Sequence, residues 1–159
     1  EVMGRSAGYI ALWCGIANGA EQILIPEKFD NNYDKLIEEI KNNRASGMTH
    51  QIIVNAEGIG HSYGLAKKIE EATGIETRAT ILGHLQRGGS PTARDRVYAS
   101  VMGAYAIDCI EKGKKNRLIG YKEGHVYDVD IEEAFQMTKS IDDYEYEVAG
   151  ILGTRCEYK

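Results

Sequence analysis

The chain has 159 residues, 43% of them apolar, about one domain's length and ample for a core of its own. With 24 acidic against 19 basic residues its net charge is −5, which leaves no general basic surface for nucleic acid. The longest apolar run, Tyr9 to Ala17, is far too short to cross a bilayer, so no membrane partner is expected. Cys14, Cys109 and Cys156 are odd in number and lack C-x-x-C spacing. They argue against a disulfide framework or a zinc site and read as buried or incidental thiols.

In chain order, Val2-Met3-Gly4-Arg5 reads as the tail of a strand without a beginning, as in a truncated or cleaved product, with a polar loop behind it. Residues 7–18 are apolar nearly all round, through Ile10, Leu12, Trp13 and Ile16, and predict a deeply buried helix. Gln22 to Ile25 is a short strand closed by Pro26. Residues 33–46 place Tyr33, Leu36, Ile37 and Ile40 on one helical face, with Gly47 as the stop. His50 to Asn55 predicts a strand that runs into Glu57, Gly58 and Gly60. Tyr63 to Thr73 predicts a helix ending at Gly74, and Thr77, Ala79 and Ile81 a further strand.

A loop with His84, Gln86 and Arg87 follows, and then a helix from Pro91 to Lys112 that Gly113 ends. Val97, Val101 and Ala104 lie on one side of that helix, and Tyr98, Met102, Tyr105 and Cys109 on an adjacent one. So wide an apolar surface predicts a helix sandwiched between layers. Arg117 to Tyr121 and Val126 to Val129 are short strands, and Ile131 to Met137 a helix. Asp142, Asp143, Glu145 and Glu147 read as a solvated helix start, and His61 and His125 as solvent-facing loop residues. The alternation predicts an α/β fold, a mostly parallel sheet flanked by helices, without internal repeats or a low-complexity linker.

The stretch from Arg78 to Arg96 carries the most chemistry. Gly88 and Gly89 permit a tight turn and close approach to a ligand. Ser90 and Pro91 read as a hydroxyl cap and a residue already set at helical φ, and a helix N-terminus attracts anions. Arg87 adds a planar fork for phosphate oxygens and His84 a second donor, which together describe a phosphate-binding corner. In open α/β sheets ligands bind beyond the carboxyl ends of the strands. Such ends here carry Arg5, Glu57, and His84 with Arg87. Glu57 can accept from hydroxyls while the cations hold phosphate, a combination that suits a sugar phosphate.

EVMGR at residues 1–5, NAEGIG at 55–60, ETRATILGHLQRGGSP at 76–91 and ASVMGAYAID at 99–108 closely resemble the bacterial 6-phosphofructokinase family. The resemblance runs in register over nearly the whole chain, is weaker beyond about Ile119, and is lost in the tail from Gly150 onward. It implies a glycolytic transferase, a kinase moving the ATP γ-phosphoryl group to the 1-hydroxyl of fructose 6-phosphate. It also implies a cytoplasmic, allosteric homotetramer. What matches is the C-terminal half of the family's polypeptide, so residues 1–159 would be the fructose 6-phosphate-binding half. ATP and Mg²⁺, the nucleotide-binding and metal-binding elements and the catalytic base would belong to an N-terminal half upstream. No glycine-rich ATP loop and no Thr-Ile-Asp-Asn-Asp-type segment occurs here, so no catalytic base and no metal ligand is assigned to this chain.

Residue by residue, the resemblance puts Met3, Gly4 and Arg5 against the sugar phosphate, with Arg5 suited to the charge that develops in phosphoryl transfer. Glu57 matches the acceptor of sugar hydroxyls, and His84 and Arg87 match ligands of the 6-phosphate. Arg78 matches an arginine that reaches a neighbouring subunit's phosphate site, which makes the site depend on a homo-oligomer. Gly19, Ala20 and Glu21 match part of an effector pocket for ADP or phosphoenolpyruvate, which also uses a lysine-rich turn before His50. Here that turn is Ala45-Ser46-Gly47-Met48-Thr49-His50, without lysine at the matching places. Each lost charge-assisted bond is worth roughly 1.5–3 kcal/mol, so weak or altered regulation is expected. Two alternatives stay open at this level, a diphosphate-dependent enzyme of the same family and a non-catalytic sugar-phosphate-binding module.

Overall fold

The computed structural model describes residues 1–153, which gather into two compact units, residues 1–87 with 141–153 and residues 88–140. The fold is α/β. In the first unit the chain order is α1 (Tyr9–Asn18), β1 (Gln22–Leu24), α2 (Tyr33–Ala45), β2 (Ile53–Asn55) and α3 (Ser62–Thr73). A last helix, which we number α6 (Asp143–Gly153), closes it. β1 and β2 pair in parallel, Gln22 opposite Ile53 and Leu24 opposite Asn55. Val2 continues this sheet through a parallel bridge to Ala56.

Alternate β1 side chains serve two cores. Ile23 joins Val2, Ala11, Leu12, Ile25, Ala56, Ile141 and Ala149 on the side of α1 and α6. Leu24 joins Leu36, Ile37, Ile40, Leu65 and Ile69 on the side of α2 and α3. A strand buried on both faces reads as an unbroken apolar run, which is why Ile23, Leu24 and Ile25 are apolar at consecutive positions. Burial of each large aliphatic side chain contributes about 1.5–3 kcal/mol, so these two clusters hold the unit together. α2 begins at Asn32, whose side chain accepts from Lys35 N–H at 3.0 Å.

Two sequence expectations change in this unit. α1 is not buried all round: Leu12 is 1% exposed, but Ile10 is 42% and Trp13 65% exposed. One face packs on the strands and α6 while the other carries Trp13, whose indole N–H donates to Glu145 at 3.1 Å. That bond, with Lys28 against Asp143 at 2.6 Å, also makes the acidic start of α6 a docking surface as well as a solvated one. Residues 77–81 form no strand: their backbone bonds to the start of the chain are isolated ones at Thr80 and Leu82 and build no ladder. The Glu1 nitrogen donates to Thr80 C=O and Leu82 N–H to Glu1 C=O, which lays residues 80–82 beside the first residues of the chain.

In the second unit α4 (Ala93–Glu111) lies against the hairpin of β3 (Arg117–Lys122) and β4 (His125–Asp130), and α5 (Ile131–Gln136) follows. The hairpin is antiparallel because Glu123 and Gly124, at φ 51° and 85°, form a two-residue turn whose twist suits antiparallel strands. His125 therefore opens β4, exposed as expected. The cap of α4 is Thr92, not Ser90-Pro91. The Thr92 hydroxyl accepts from Asp95 N–H and the Asp95 carboxylate from Thr92 N–H, a reciprocal capping box. Nor is α4 sandwiched between layers within its unit. Tyr98, Met102, Tyr105 and Cys109 face the hairpin side, whereas Val97 is 58% and Val101 48% exposed. Cys156 and the rest of residues 154–159 lie outside the described residues.

Candidate functional site

Three chain segments end side by side at one edge of the first unit. Val2 N–H donates to Asn55 C=O and Glu57 N–H to Val2 C=O, both at 2.9 Å, which sets Met3 next to the end of β2. Leu82 N–H on Glu1 C=O sets the turn Gly83–Gln86 next to Met3 on the other side. A polar chain behind this edge holds it together. Asn55 Nδ2 donates to Ser62 Oγ at 2.8 Å, and Ser62 Oγ to a Glu1 carboxylate oxygen at 2.7 Å. Asn55 and Ser62 are buried, and these bonds offset the cost of removing Asn55 Nδ2 and Ser62 Oγ from water, while Asn55 Oδ1 is buried without a partner among the described residues.

Within this edge, Met3-Gly4-Arg5 is held in an unusual conformation. Gly4 lies at φ 154° and a Cβ there would collide with Ala7 C=O. Arg5, which is not glycine, lies at φ 54°, in the left-handed region that side chains disfavour. Distant side chains fix this geometry. Glu57 Oε1 accepts from Gly4 N–H at 3.1 Å and from Arg5 N–H, while Gln86 Oε1 accepts from Met3 N–H at 2.7 Å. Gly58 lets the loop approach, since a Cβ there would stand 2.6 Å from Arg5 C=O.

Of the residues singled out in the sequence, Met3, Gly4, Arg5 and Glu57 are brought into direct contact. His84 and Arg87 share the turn that carries Gln86, and Arg87 N–H donates to His84 C=O at 2.9 Å. Arg5, His84 and Arg87 are exposed, and their side chains make no hydrogen bond or ion pair among the described residues. Four other arginines differ: Arg44 donates to Met48 C=O, Arg78 to Glu76, Arg94 to Tyr98 and Arg117 to Asp128, whereas Arg96, on α4, is likewise exposed without a side-chain partner among the described residues. Glu57 Oε2 also lacks a protein partner among the described residues, so one carboxylate oxygen holds the loop and the other is open to a hydroxyl. The edge thus presents two unpaired guanidinium groups and an imidazole beside one acceptor, which is the chemistry of phosphate and polyol binding.

The phosphate corner differs from its sequence reading at one point. Gly88 and Gly89 do take positive φ, 95° and 87°. The N-terminus of α4, however, already holds the Asp95 carboxylate, whose pKa is lowered chiefly by the Thr92 backbone N–H. That helix end is therefore supplied with its own anion. Gln86, Gly58, Asn55 and Ser62 were given no role from sequence. Gln86 stood in the loop beside His84, but nothing in its local pattern shows that its partner lies at Met3.

Arg78 is exposed and paired with Glu76, Nε to Oε1 at 2.8 Å. Gly19 caps α1, Ala20 is buried, and a Glu21 carboxylate oxygen accepts from Ile52 N–H at 2.6 Å. Glu21 lines a cavity of about 420 Å³ with Glu39, Tyr146 and Gly153. His50 lines another, of about 310 Å³, with Arg44 and Arg78. Among the described residues no group of three or more His, Cys, Asp or Glu side chains is set to hold a metal ion. No helix among them is long and apolar enough to cross a membrane.

The chain is similar to known proteins along most of its length. A family model described as "PFK: Phosphofructokinase" matches residues 1–110. The chain is 55% identical over 153 residues to an ATP-dependent 6-phosphofructokinase 1 of Clostridium perfringens, covering 96% of this chain and 47% of that protein. It is 51% identical over 152 residues to an ATP-dependent 6-phosphofructokinase of Clostridium botulinum, with the same coverages of 96% and 47%. The chain thus spans about half the length of these curated relatives. Among solved structures it resembles Saccharomyces cerevisiae phosphofructokinase, with a TM-score of 0.77 and 29% identity over 96% of this chain and 22% of that one. It also resembles Pichia pastoris phosphofructokinase in the T-state, with a TM-score of 0.75 and 30% identity over 95% of this chain and 18% of that one.

Proposed function

Because this chain belongs to the phosphofructokinase family, we propose that it supplies the sugar-phosphate half of an ATP-dependent 6-phosphofructokinase. The complete polypeptide would transfer the γ-phosphoryl group of ATP to the 1-hydroxyl of fructose 6-phosphate. The observation that carries this reading is the set of side chains without a protein partner among the described residues, the guanidinium groups of Arg5 and Arg87 and the imidazole of His84, on adjoining segments beside Glu57. In this reading His84 and Arg87 bind the 6-phosphate, Arg87 through its planar fork. Glu57 accepts from a sugar hydroxyl with its open oxygen. Met3 and Gly4 line the sugar phosphate, and Arg5 neutralises charge as the phosphoryl group moves.

Mg²⁺ with ATP, when bound, supplies the phosphoryl donor in a form whose charge is partly neutralised. The described residues offer no ligand set for that ion, and none of the roles above runs through it. The base, the nucleotide site and the metal would belong to an N-terminal half. Arg78 would act across a subunit boundary in a cytoplasmic homotetramer, and Gly19, Ala20, Glu21 and His50 would belong to an effector site. The relatives' name, ATP-dependent 6-phosphofructokinase, together with this chain's span of about half their length, supports a nucleotide site elsewhere in the polypeptide, and the exposed position of Arg78 supports its role at a boundary.

The test is calorimetric titration of fructose 6-phosphate into the complete polypeptide that carries this chain, with Arg87→Ala beside it. Loss of charge-assisted bonds worth roughly 1.5–3 kcal/mol each predicts at least about tenfold weaker binding in the variant. Equal affinity for both proteins would overturn the assignment of the phosphate site.

A further inference from the structure

The backbone at Arg5 is strained, and strain of that kind persists only where surrounding groups hold it. Three N–H groups in a row, those of Met3, Gly4 and Arg5, donate to side chains more than fifty residues away in sequence. Two of these bonds end on Glu57, at the end of β2. The third, Met3 N–H to Gln86 Oε1 at 2.7 Å, is a link from the strained loop to the side chains of the His84–Arg87 turn. Gln86 sits between His84 and Arg87 and touches the loop through its side-chain oxygen, so it ties the two cationic segments together.

We propose that Gln86 is a positioning residue for the sugar-phosphate site, holding the Met3–Arg5 loop in register with the His84–Arg87 turn. The proposal rests on the function assigned above and deepens it: Gln86 itself need not touch substrate. Without its oxygen, Met3 N–H loses its acceptor and Arg5 can relax out of the left-handed region. The distance between the guanidinium of Arg5 and the phosphate ligands of the turn is then no longer set in advance of binding. Positioning of this kind acts on affinity, because the free loop must be ordered again when the ligand arrives.

Two variants separate a hydrogen-bonding role from a packing role in the complete polypeptide that carries this chain. Gln86→Met keeps length and volume but has no comparable acceptor, whereas Gln86→Glu keeps an acceptor oxygen. Amide hydrogen exchange reads the link itself. In Gln86→Met, exchange at Met3 and Arg5 is expected to quicken about tenfold, with Leu36 and Ala56 unchanged, and Gln86→Glu is expected to restore slow exchange. Steady-state kinetics read the consequence: Gln86→Met should raise KM for fructose 6-phosphate about five- to tenfold and also lower kcat, because Arg5 acts on the moving phosphoryl group, with the thermal midpoint close to wild type. Unchanged exchange in Gln86→Met, failure of Gln86→Glu to restore protection, or an unchanged KM would each overturn the proposal. A wild-type protein that does not bind fructose 6-phosphate would overturn the functional reading instead, while the exchange data would still decide the link between Gln86 and Met3.

Discussion

Arg5, His84 and Arg87 face solvent without a counter-charge, whereas Arg117 donates to Asp128 at 2.7 Å in company with Lys114 at 2.8 Å and Tyr105 at 3.0 Å. The two arrangements serve different ends. Side chains without a partner are available to a ligand, while Tyr105, Lys114 and Arg117 around Asp128 fasten α4 and the segment after it to the hairpin. The ammonium of Lys114, ahead of Tyr105 and Arg117, holds the Asp128 carboxyl well below the usual carboxylate range. The same contact raises the pKa of Lys114 and of Tyr105. A carboxyl whose folded pKa is depressed stabilises the fold in full above its unfolded pKa of about 3.9, and that stability is lost as pH falls below it. Lys114 and Tyr105, raised, contribute below about pH 10 and lose their contribution as pH rises through their folded values. Asp128→Asn should therefore flatten the acid limb of thermal stability between about pH 4 and pH 2. Melting curves of wild type and variant with the same slope in that window would refute this.

Among the elements, α4 shows how local chemistry decides a boundary. Ser90-Pro91 satisfies two helix-start preferences, yet the helix begins after Thr92. Thr92 and Asp95 stand three residues apart and satisfy each other's backbone N–H, which a Ser90 cap could not do with Ala93. Thr92→Ala removes the hydroxyl half of this box and should destabilise the 88–140 unit by about 0.5–2 kcal/mol. Urea unfolding followed through the stacked pair Tyr98 and Tyr121, at 4.3 Å between rings, would measure it. An unchanged midpoint would mean that the cap is redundant. The strand expected at residues 77–81 does not form because a ladder needs a matching run of backbone partners, and period-two alternation along the sequence does not show whether the neighbouring segment supplies one. α1 and α4 were expected to be covered all round because their composition is apolar on several faces. Composition, however, does not say how many faces find a neighbour.

At the scale of the whole molecule, one effector question follows from the placement of cations. The turn before His50 has no lysine, Arg44 bonds Met48 C=O, and Glu21 is engaged by Ile52 N–H. Glu21 and His50 also line separate cavities. A di-anionic effector would therefore meet few free positive charges from this chain. The complete polypeptide should respond weakly to ADP and phosphoenolpyruvate, with affinity lowered by more than about a hundredfold for two missing charge-assisted bonds. A binding isotherm showing micromolar ADP at this pocket would contradict that expectation.

The sequence by itself determined the α/β class, most helices to within a residue or two, and the identity of the residues with ligand chemistry. Helical period, turn glycines and the run LGHLQRGGSP are properties of neighbouring residues, so they can be read along the chain. It also placed Glu57 at the end of a strand and Arg5 behind a strand-like start, whereas the strand expected ahead of His84 and Arg87 does not form. Only the tertiary structure decided how those ends are joined: Gln86 to Met3 over 83 residues, Glu57 to Gly4 over 53, and Ser62 to Glu1 over 61. It alone showed the left-handed Arg5, the division into two units, and which apolar helix faces lack cover among the described residues. The reason is physical. A side-chain hydrogen bond of a few ångströms depends on where two distant backbones cross, and that is set by the packing of the whole sheet and its helices rather than by residues near either partner.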